Sequence, residues 1–522
     1  MPSFNIKDLK ADFVSGFSVF LLALPLCLGI AMASNFPPIA GVFTAIVGGV
    51  LSSFLGSTRL SIKGPAAGLI VIALGAVNDL GGGDLALGYK RALAVGVIAA
   101  VIQILIALVR KAVVAEIMPP SVIHGMLAAI GVIIVSKQTH VMMGVTPHAK
   151  GPLALLVEIP NSIMNANPEI FFIGGLAIAL SFLWPRIKKL AVIPSSIAVL
   201  LSAIALSFFF DLSVAHDYTF MGKSFHLGNE YLINLPSSIV SAITFPDFSD
   251  ILSGTSIKYI IMFALVGSIE SLLTVCAIDT IDPEKKQSDL NKDLFAVGVG
   301  NLVSALIGGL PMISEIVRSK ANIDYGAKTK YSNFFHGMLL LLSIVIFPGL
   351  IQQIPLAALA ALLVFTGLRL ASPKEFVHVY KIGKDQFALF FITFIITLAV
   401  DLLAGVAIGI VLKVLLHMIR AKNLTGLFKL NFNEQKENET NRISIQGPFV
   451  FMHYLKAKSL LNNSFSENKK TILDLSQASI VDHTILDKLD YIKNETSDDQ
   501  FQIIGLEKLN PSSSHHLAVR TL

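Results

Sequence analysis

Three stretches of this chain put reactive groups where such groups are costly to keep. The first is "RLSIKGPAAGL", residues 59 to 69. Here Arg59 and Lys63 run into a Gly64-Pro65 break and then an apolar segment too short to cross a bilayer. The second is "GGLPMISEIVRSKANI", residues 308 to 323, with a second break followed by Ser314, Glu315 and Arg318. The third is "ALVGSIESLLTVCAID", residues 264 to 279, with Glu270 inside an apolar helical run.

The first two stretches have the chemistry of an anion site. Pro65 suits the first position of a helix, where the missing N–H is no loss. Gly64 permits close backbone approach. Ser314 suits the N-cap of a second helix. A helix that begins inside the bilayer leaves its first N–H groups and its positive dipole end available to an anion. Gly64, Pro65 and Ala66 would then face Ser314, Glu315 and Arg318, two helix N-termini and a guanidinium around one pocket. Alternatively, Glu315 and Arg318 satisfy each other as an i, i+3 pair. Lys63 either snorkels to the cytoplasmic surface or adds its charge to the pocket.

The third stretch has the chemistry of a coupling cation. An ionisable residue in an apolar helix usually faces a pathway. Thr274 follows Glu270 by one turn and shares its face. Burial disfavours a bare charge at Glu270, so the carboxylate would take a proton, or Na⁺ with the Thr274 hydroxyl. No metal cluster, nucleophile triad or phosphate-binding glycine loop accompanies these residues, so neither an enzyme nor a cofactor is expected. Gln103 reads as interhelical glue. Cys27 and Cys276 lie inside predicted spans and read as small buried residues.

The elements that must position these groups are membrane helices. Of the 522 residues, 54% are hydrophobic and 14% charged, with mean hydropathy +0.71. That balance is a polytopic membrane protein, not a soluble one. The net charge of +5 calls for no nucleic-acid partner. Spans fall at about 11–34, 38–56, 64–79, 90–109, 119–136, 169–185, 192–210, 257–279, 293–309, 314–327, 332–348, 354–370, 386–401 and 402–420. The third and tenth are undersized and broken, each third in a half of seven. Matched broken segments of this kind point to an inverted-repeat transporter. Arg110 and Lys111, then Arg186, Lys188 and Lys189, then Lys285, Lys286 and Lys292, then Lys374, Lys381 and Lys384 follow even-numbered spans. That bias puts both termini in the cytoplasm. No cleavable signal peptide is evident.

Residues 1–425 therefore read as the membrane domain, 426–440 as a linker, and 441–522 as a soluble domain. The linker region carries the acidic, apolar-poor stretch "NFNEQKENETN". In the tail, "RISIQGPFVFM", "KKTILDLSQASIV" and "FQIIGL" read as strands and "HTILDKLDYIKNE" as an amphipathic helix, a small α/β unit.

With "LALPLCLGIAMAS" in the first span, these stretches resemble the sulfate permease (SulP) family of inorganic anion transporters. The likeness is strongest to a bacterial branch often linked with carbonic anhydrase. It implies an all-α membrane domain of 14 segments in two inverted sevens, with core and gate bundles and two half-helices. It also implies a homodimer in the bacterial inner membrane and an elevator-like cycle that carries a small inorganic oxyanion, bicarbonate or sulfate. The substrate would sit on Gly64, Pro65, Ala66, Ser314, Glu315 and Arg318, and the coupling ion on Glu270 and Thr274. Relatives with Asp at the Glu270 position use Na⁺, whereas those with Glu look proton-coupled, which points to H⁺ here. Two departures stand out. Lys63 replaces a small residue, and "PLCLG" lacks the polar Gln many members carry after the proline. The tail resembles a STAS domain in "DLSQASIVDHTIL", with Asp474 and Asp482 at the expected spacing. His483 stands where anti-sigma antagonists carry a phosphorylated Ser, and Ile485 where a glycine usually follows. Two other function classes fit the same elements: a passive anion channel or exchanger, and a membrane-anchored STAS signalling scaffold.

Overall fold

The computed structural model describes residues 6–110, 112, 117–149, 151–187, 194–236, 238–284, 286–421, 425–436, 439–466, 470–496 and 500–522. Lys111, Lys188, Lys189 and Lys285 of the basic loops lie outside the described residues. The chain forms two compact units, Met1–Ala112 with Ile130–Leu370, and Val113–Ala129 with Ala371–Leu522.

The larger unit is helical. It opens with α1 (Ile6–Ala33), α2 (Pro38–Val50) and the short α3 (Ser52–Leu55). Strand β1 (Ile62–Pro65) then leads through a short 3-10 turn into α4 (Ile70–Gly81). Next come α5 (Leu85–Leu108), α6 (Pro120–Met142), whose residues up to Ala129 belong to the smaller unit, then α7 (Pro152–Met164), α8 (Pro168–Leu183) and α9 (Ser195–Phe209). A hairpin of β2 (His216–Phe220) and β3 (Lys223–Leu227) precedes α10 (Gly254–Ile281) and α11 (Leu290–Leu306). Strand β4 (Met312–Glu315) then runs directly into α12 (Ile316–Asp324). The unit closes with α13 (Tyr331–Ile346), α14 (Pro348–Gln352) and α15 (Leu356–Leu370). Eight of the described helices are long and apolar enough to cross a membrane, and shorter apolar helices stand between them. Leu201, Phe209 and Ile346 lie exposed on their helices, as lipid-facing residues do. The helix α7 and the β2–β3 hairpin lie between predicted spans, where short polar-flanked runs gave no span signal.

Close backbone contacts bring the helices around β1 together. A methyl group on Gly48 would lie 2.4 Å from the Lys63 carbonyl oxygen, and one on Gly49 would lie 2.6 Å from Gly337 Cα. Glycine is needed at both positions because backbone cannot yield as a side chain can.

The smaller unit contains α16 (Pro373–Ile382), α17 (Lys384–Ala399), α18 (Leu402–Ala421) and α19 (Thr425–Phe428). It continues with β5 (Asn431–Lys436), β6 (Thr440–Phe449), α20 (Tyr454–Ser466), β7 (Lys470–Val481) and α21 (His483–Glu495). The last strands are β8 (Phe501–Ile504), β9 (Asn510–Pro511) and β10 (Arg520–Thr521). The sheet order is β5-β6-β7-β10-β9, with β8 also on β7. β7 is parallel to β6 and β8 and antiparallel to β10. The predicted α/β tail is thus present, with one correction. Part of the expected linker is strand: residues 431–436 pair with 441–446 in antiparallel register, and Phe432 packs on the domain core. The alternation Asn-Phe-Asn-Glu hides one inward aromatic among polar residues, so composition alone reads as linker.

At the start of α21, Asp482 is fully buried and caps the helix, accepting from Ile485 N–H at 2.8 Å. It also accepts from Phe451 N–H at 3.0 Å, with His417 Nε2 at 3.0 Å and Lys413 Nζ at 3.5 Å. Lys413 and His417 share one face of α18 at i, i+4 spacing.

Candidate anion site of the helical unit

The site is built where β1 and β4 cross as a two-stranded antiparallel ladder. The register pairs Ile62 with Glu315, Lys63 with Ser314, Gly64 with Ile313 and Pro65 with Met312. Each strand turns into a helix, and because the strands are antiparallel the two helices leave the ladder in opposite senses. The two helix starts therefore stand at opposite ends of the four-residue ladder.

Two helix starts differ from expectation. Pro65 ends β1, and the helical turn begins at Ala67, after Ala66 in extended conformation. Ser314 does not cap α12; the N-cap is Glu315, which makes no side-chain cap hydrogen bond. Ser314 belongs to the ladder, where its N–H donates to Ser271 Oγ at 3.1 Å and its hydroxyl to Asp293 Oδ2 at 3.3 Å. Pairing with β1 takes the backbone that a cap would need, so the helix starts one residue later.

Lys63 takes neither role expected of it. Its ammonium lies 2.9 Å from Asp293 Oδ1, and both side chains are buried. Thr58 Oγ1 donates to the same oxygen at 2.7 Å. The charge expected at the pocket or surface is thus neutralised behind the ladder. Asn301 secures the other end: its Oδ1 accepts from Met312 N–H at 2.6 Å, and its amide donates to Met312 C=O at 3.1 Å. The same amide reaches Gln103 Oε1 at 2.9 Å, the interhelical role expected of Gln103.

Arg318 lies on α12 with 1% exposure. Its Nη2 donates to Pro65 C=O at 3.3 Å, while Nε and Nη1 have no hydrogen-bond partner among the described residues. A methyl group on Gly64 would sit 2.6 Å from Nη1, so the glycine is what admits the guanidinium to the ladder. Glu315 stands three residues before Arg318, at the N-cap of α12, with its Oε1 unpartnered among the described residues. Among the described residues no ion pair joins Glu315 to Arg318, so the i, i+3 alternative does not satisfy the guanidinium. Glu270 is buried on α10, also with Oε1 unpartnered, and a methyl group on Gly68 would lie 2.3 Å from that oxygen. Thr274 is buried one turn further along.

Four neighbours escaped the sequence reading. Cys27 is buried, as expected, but its thiol faces Arg318. It lies one residue beyond the position after Pro25 where the polar Gln is missing. His336 of α13 is fully buried near Arg318, with both ring nitrogens unpartnered. Gly68 could have been found as the small residue in "PAAGL" at the start of an apolar helix. Asp293 and Lys63 are 230 residues apart, and no local pattern links them.

Arg318, His336, Glu270 and Glu315 together contribute six buried nitrogen and oxygen atoms without a partner among the described residues. Buried polar groups are normally paired, and such a cluster marks a ligand site. At the C-terminal end of α1, a cavity of about 970 Å³ is lined by Asn35, Tyr89, Asn229, Glu230 and Gln352, among others. Phe36 lines this cavity and also a constricted one of about 10 Å³ beside Leu69, Gln103, Gly267 and Pro311.

Such a fold defines a multi-pass membrane protein with buried polar groups beside two broken segments. The chain belongs to the sulfate permease family, whose model matches residues 9–393. It is 26% identical over 397 residues to the putative sulfate transporter YvdB of Bacillus subtilis, covering 74% of this chain and 69% of that one. To the bicarbonate transporter BicA of Synechocystis it is 27% identical over 361 residues, covering 69% and 60%. The fold resembles the transmembrane domain of cyanobacterial BicA, with TM-score 0.65 and 22% identity, over 77% of this chain and 98% of that one. It also resembles SLC26A9, with TM-score 0.69 and 14% identity, over 96% and 85%.

Proposed function

We propose that this protein is a secondary active transporter of a small inorganic oxyanion, bicarbonate or sulfate. The observation that carries the reading is Arg318, a buried guanidinium with two unpartnered nitrogens beside two helix starts. A buried charge left without a full set of partners is costly, and an oxyanion supplies what is missing. The names of the relatives, sulfate and bicarbonate transporters, support the same class. Substrate would contact Gly64, Pro65, Ala66 and Arg318, beside Ser314 and Glu315 of the facing strand.

Glu270 would carry the coupling cation, H⁺ or Na⁺. Its free oxygen and the nearby Thr274 hydroxyl suit either, and a cation held there would offset the charge of the anion. The helices holding the ladder would shift as one body in an elevator-like cycle, within a homodimer in the bacterial inner membrane, both termini cytoplasmic. Bicarbonate as substrate would make carbonic anhydrase a functional partner.

The test is uptake of labelled bicarbonate and labelled sulfate into proteoliposomes, with and without imposed Na⁺ and pH gradients. Saturable accumulation of one anion that rises with one gradient supports the reading. Conductance without gradient-driven accumulation selects a passive channel instead. Glu270→Gln should abolish the gradient dependence; full dependence in that variant would remove Glu270 from the coupling role.

A further inference from the structure

We propose that Asp293 is a positioning residue of the anion site: its two carboxylate oxygens hold one strand of the ladder each, and the register so fixed sets Arg318 against Gly64. The inference rests on the carrier reading above and adds the group that shapes the site from behind.

Its first support is the reach of one side chain to both strands. Asp293 lies in the first turn of α11 and is fully buried. Its Oδ1 holds Lys63 Nζ of β1 at 2.9 Å, and its Oδ2 accepts from the Ser314 hydroxyl of β4 at 3.3 Å. Lys63 and Ser314 are register partners, so the carboxylate bridges a single rung of the ladder.

The second support is that the ladder needs such a bridge. It is four residues long and has two strands, which is marginal without outside support. Asn301 holds the N–H and C=O of Met312. Ser319 Oγ accepts from Ile62 N–H at 2.8 Å and donates to Glu315 C=O at 2.5 Å. Those are backbone groups, which every residue of a strand offers, so they do not tell one register from the next. Asp293 reads side chains, a cation on one strand and a hydroxyl on the other. A slip of one residue breaks that match.

The third support is what the register decides. β4 runs directly into α12, so Arg318 moves with it. In the observed register a methyl group on Gly64 would lie 2.6 Å from Arg318 Nη1, and only glycine fits there. A slip of one residue, about 3.3 Å along the strand, would bring Lys63 or Pro65 to that place. The first is a like charge and the second a ring. Either would close the space in which the guanidinium meets an anion.

The experiment measures KM and kcat for labelled bicarbonate and labelled sulfate in proteoliposomes. The variants are Ser314→Ala, Ser314→Thr, and Lys63→Met combined with Asp293→Leu, the last also with Ser314→Ala added. Ser314→Ala cuts the link to β4, and Ser314→Thr keeps the hydroxyl. The combined apolar variant cuts both links and leaves no unpaired buried charge. Thermal unfolding of each purified variant identifies those that fold. The proposal predicts that Ser314→Ala raises KM for the carried anion at least fivefold with kcat within twofold, and that Ser314→Thr returns KM to within twofold of wild type. The apolar variant should raise KM at least fivefold, and adding Ser314→Ala to it should change KM less than twofold further, because the link is already gone. An equal rise from Ser314→Ala in both backgrounds would make the hydroxyl a direct anion contact and overturn the proposal. A folded Ser314→Ala protein with KM within twofold of wild type, or a folded Ser314→Thr protein as impaired as Ser314→Ala, would also overturn it. If the apolar variant does not fold, the Ser314 pair decides alone. Wild-type protein that carries neither anion would instead defeat the carrier reading on which the proposal rests.

Discussion

Gly68 and Glu270 touch across the pocket: a β-carbon added at Gly68 would lie 2.3 Å from one carboxylate oxygen of Glu270 and 2.5 Å from the other. The obstructing atoms are the free end of a side chain, so the fold can accommodate the methyl group by moving the carboxylate. Gly68→Ala should therefore fold, bind anion and lose the dependence of uptake on the cation gradient. Gly48→Ala is the contrast, because its methyl group meets the Lys63 backbone oxygen at 2.4 Å and nothing there can yield. It should fail to give folded protein. Uptake with and without the gradient, beside size-exclusion profiles of both variants, checks the pair. A Gly68→Ala protein with wild-type gradient dependence would separate Gly68 from the coupling chemistry.

The Lys63–Asp293 pair gives a prediction about stability. Removing one member of a buried ion pair leaves the other charge uncompensated, at a cost of about 3–5 kcal/mol. Lys63→Met should lower the thermal midpoint sharply. Adding Asp293→Asn should restore most of it, since the amide still accepts from Thr58 and carries no charge. Thermal unfolding of the two single variants and the double variant forms the cycle. Additive losses would show that the two charges do not depend on each other.

The smaller unit predicts an acid response. Burial opposes the Asp482 charge, but Lys413, the His417 hydrogen bond and the Ile485 N–H outweigh it and hold the carboxyl well below the usual range. A depressed carboxylate contributes stability above its unfolded value, about 3.9, and that stability is lost as pH falls through the folded value. Asp482→Asn should therefore lose protection in β7 and α21 at pH 7, by about 3–5 kcal/mol for a broken buried network. The gap between variant and wild type should begin to close as pH drops below about 4. Hydrogen exchange on the full chain at pH 7 and near pH 3 measures both. A gap independent of pH would show that the ionised carboxylate is not what holds α21.

Much of the site was legible because backbone chemistry is local. Gly64-Pro65 and Gly308-Gly309 with Pro311 announce their breaks in a few residues, and Glu270 is conspicuous among apolar neighbours. What local sequence does not encode is the ladder between β1 and β4. Their pairing moved the helix starts to Ala67 and Ile316 and turned Ser314 from a cap into a ladder residue. It also set Lys63 beside Asp293. Cys27 reads as an ordinary buried residue until the fold places Arg318 opposite it. The soluble sheet was legible from its alternation, except for β5, where one inward Phe432 among polar residues gives too weak a period.

The most direct test is transport by Arg318→Ala and Arg318→Lys in folded, purified form. Loss of a buried, charged anion contact of about 3–5 kcal/mol corresponds to a fall of at least a hundredfold. Arg318→Ala should lose kcat/KM by that factor for whichever anion the wild type carries. Arg318→Lys should recover part of it, since it restores the charge without the fork. A folded Arg318→Ala protein that carries the anion within a few-fold of wild type would contradict the account.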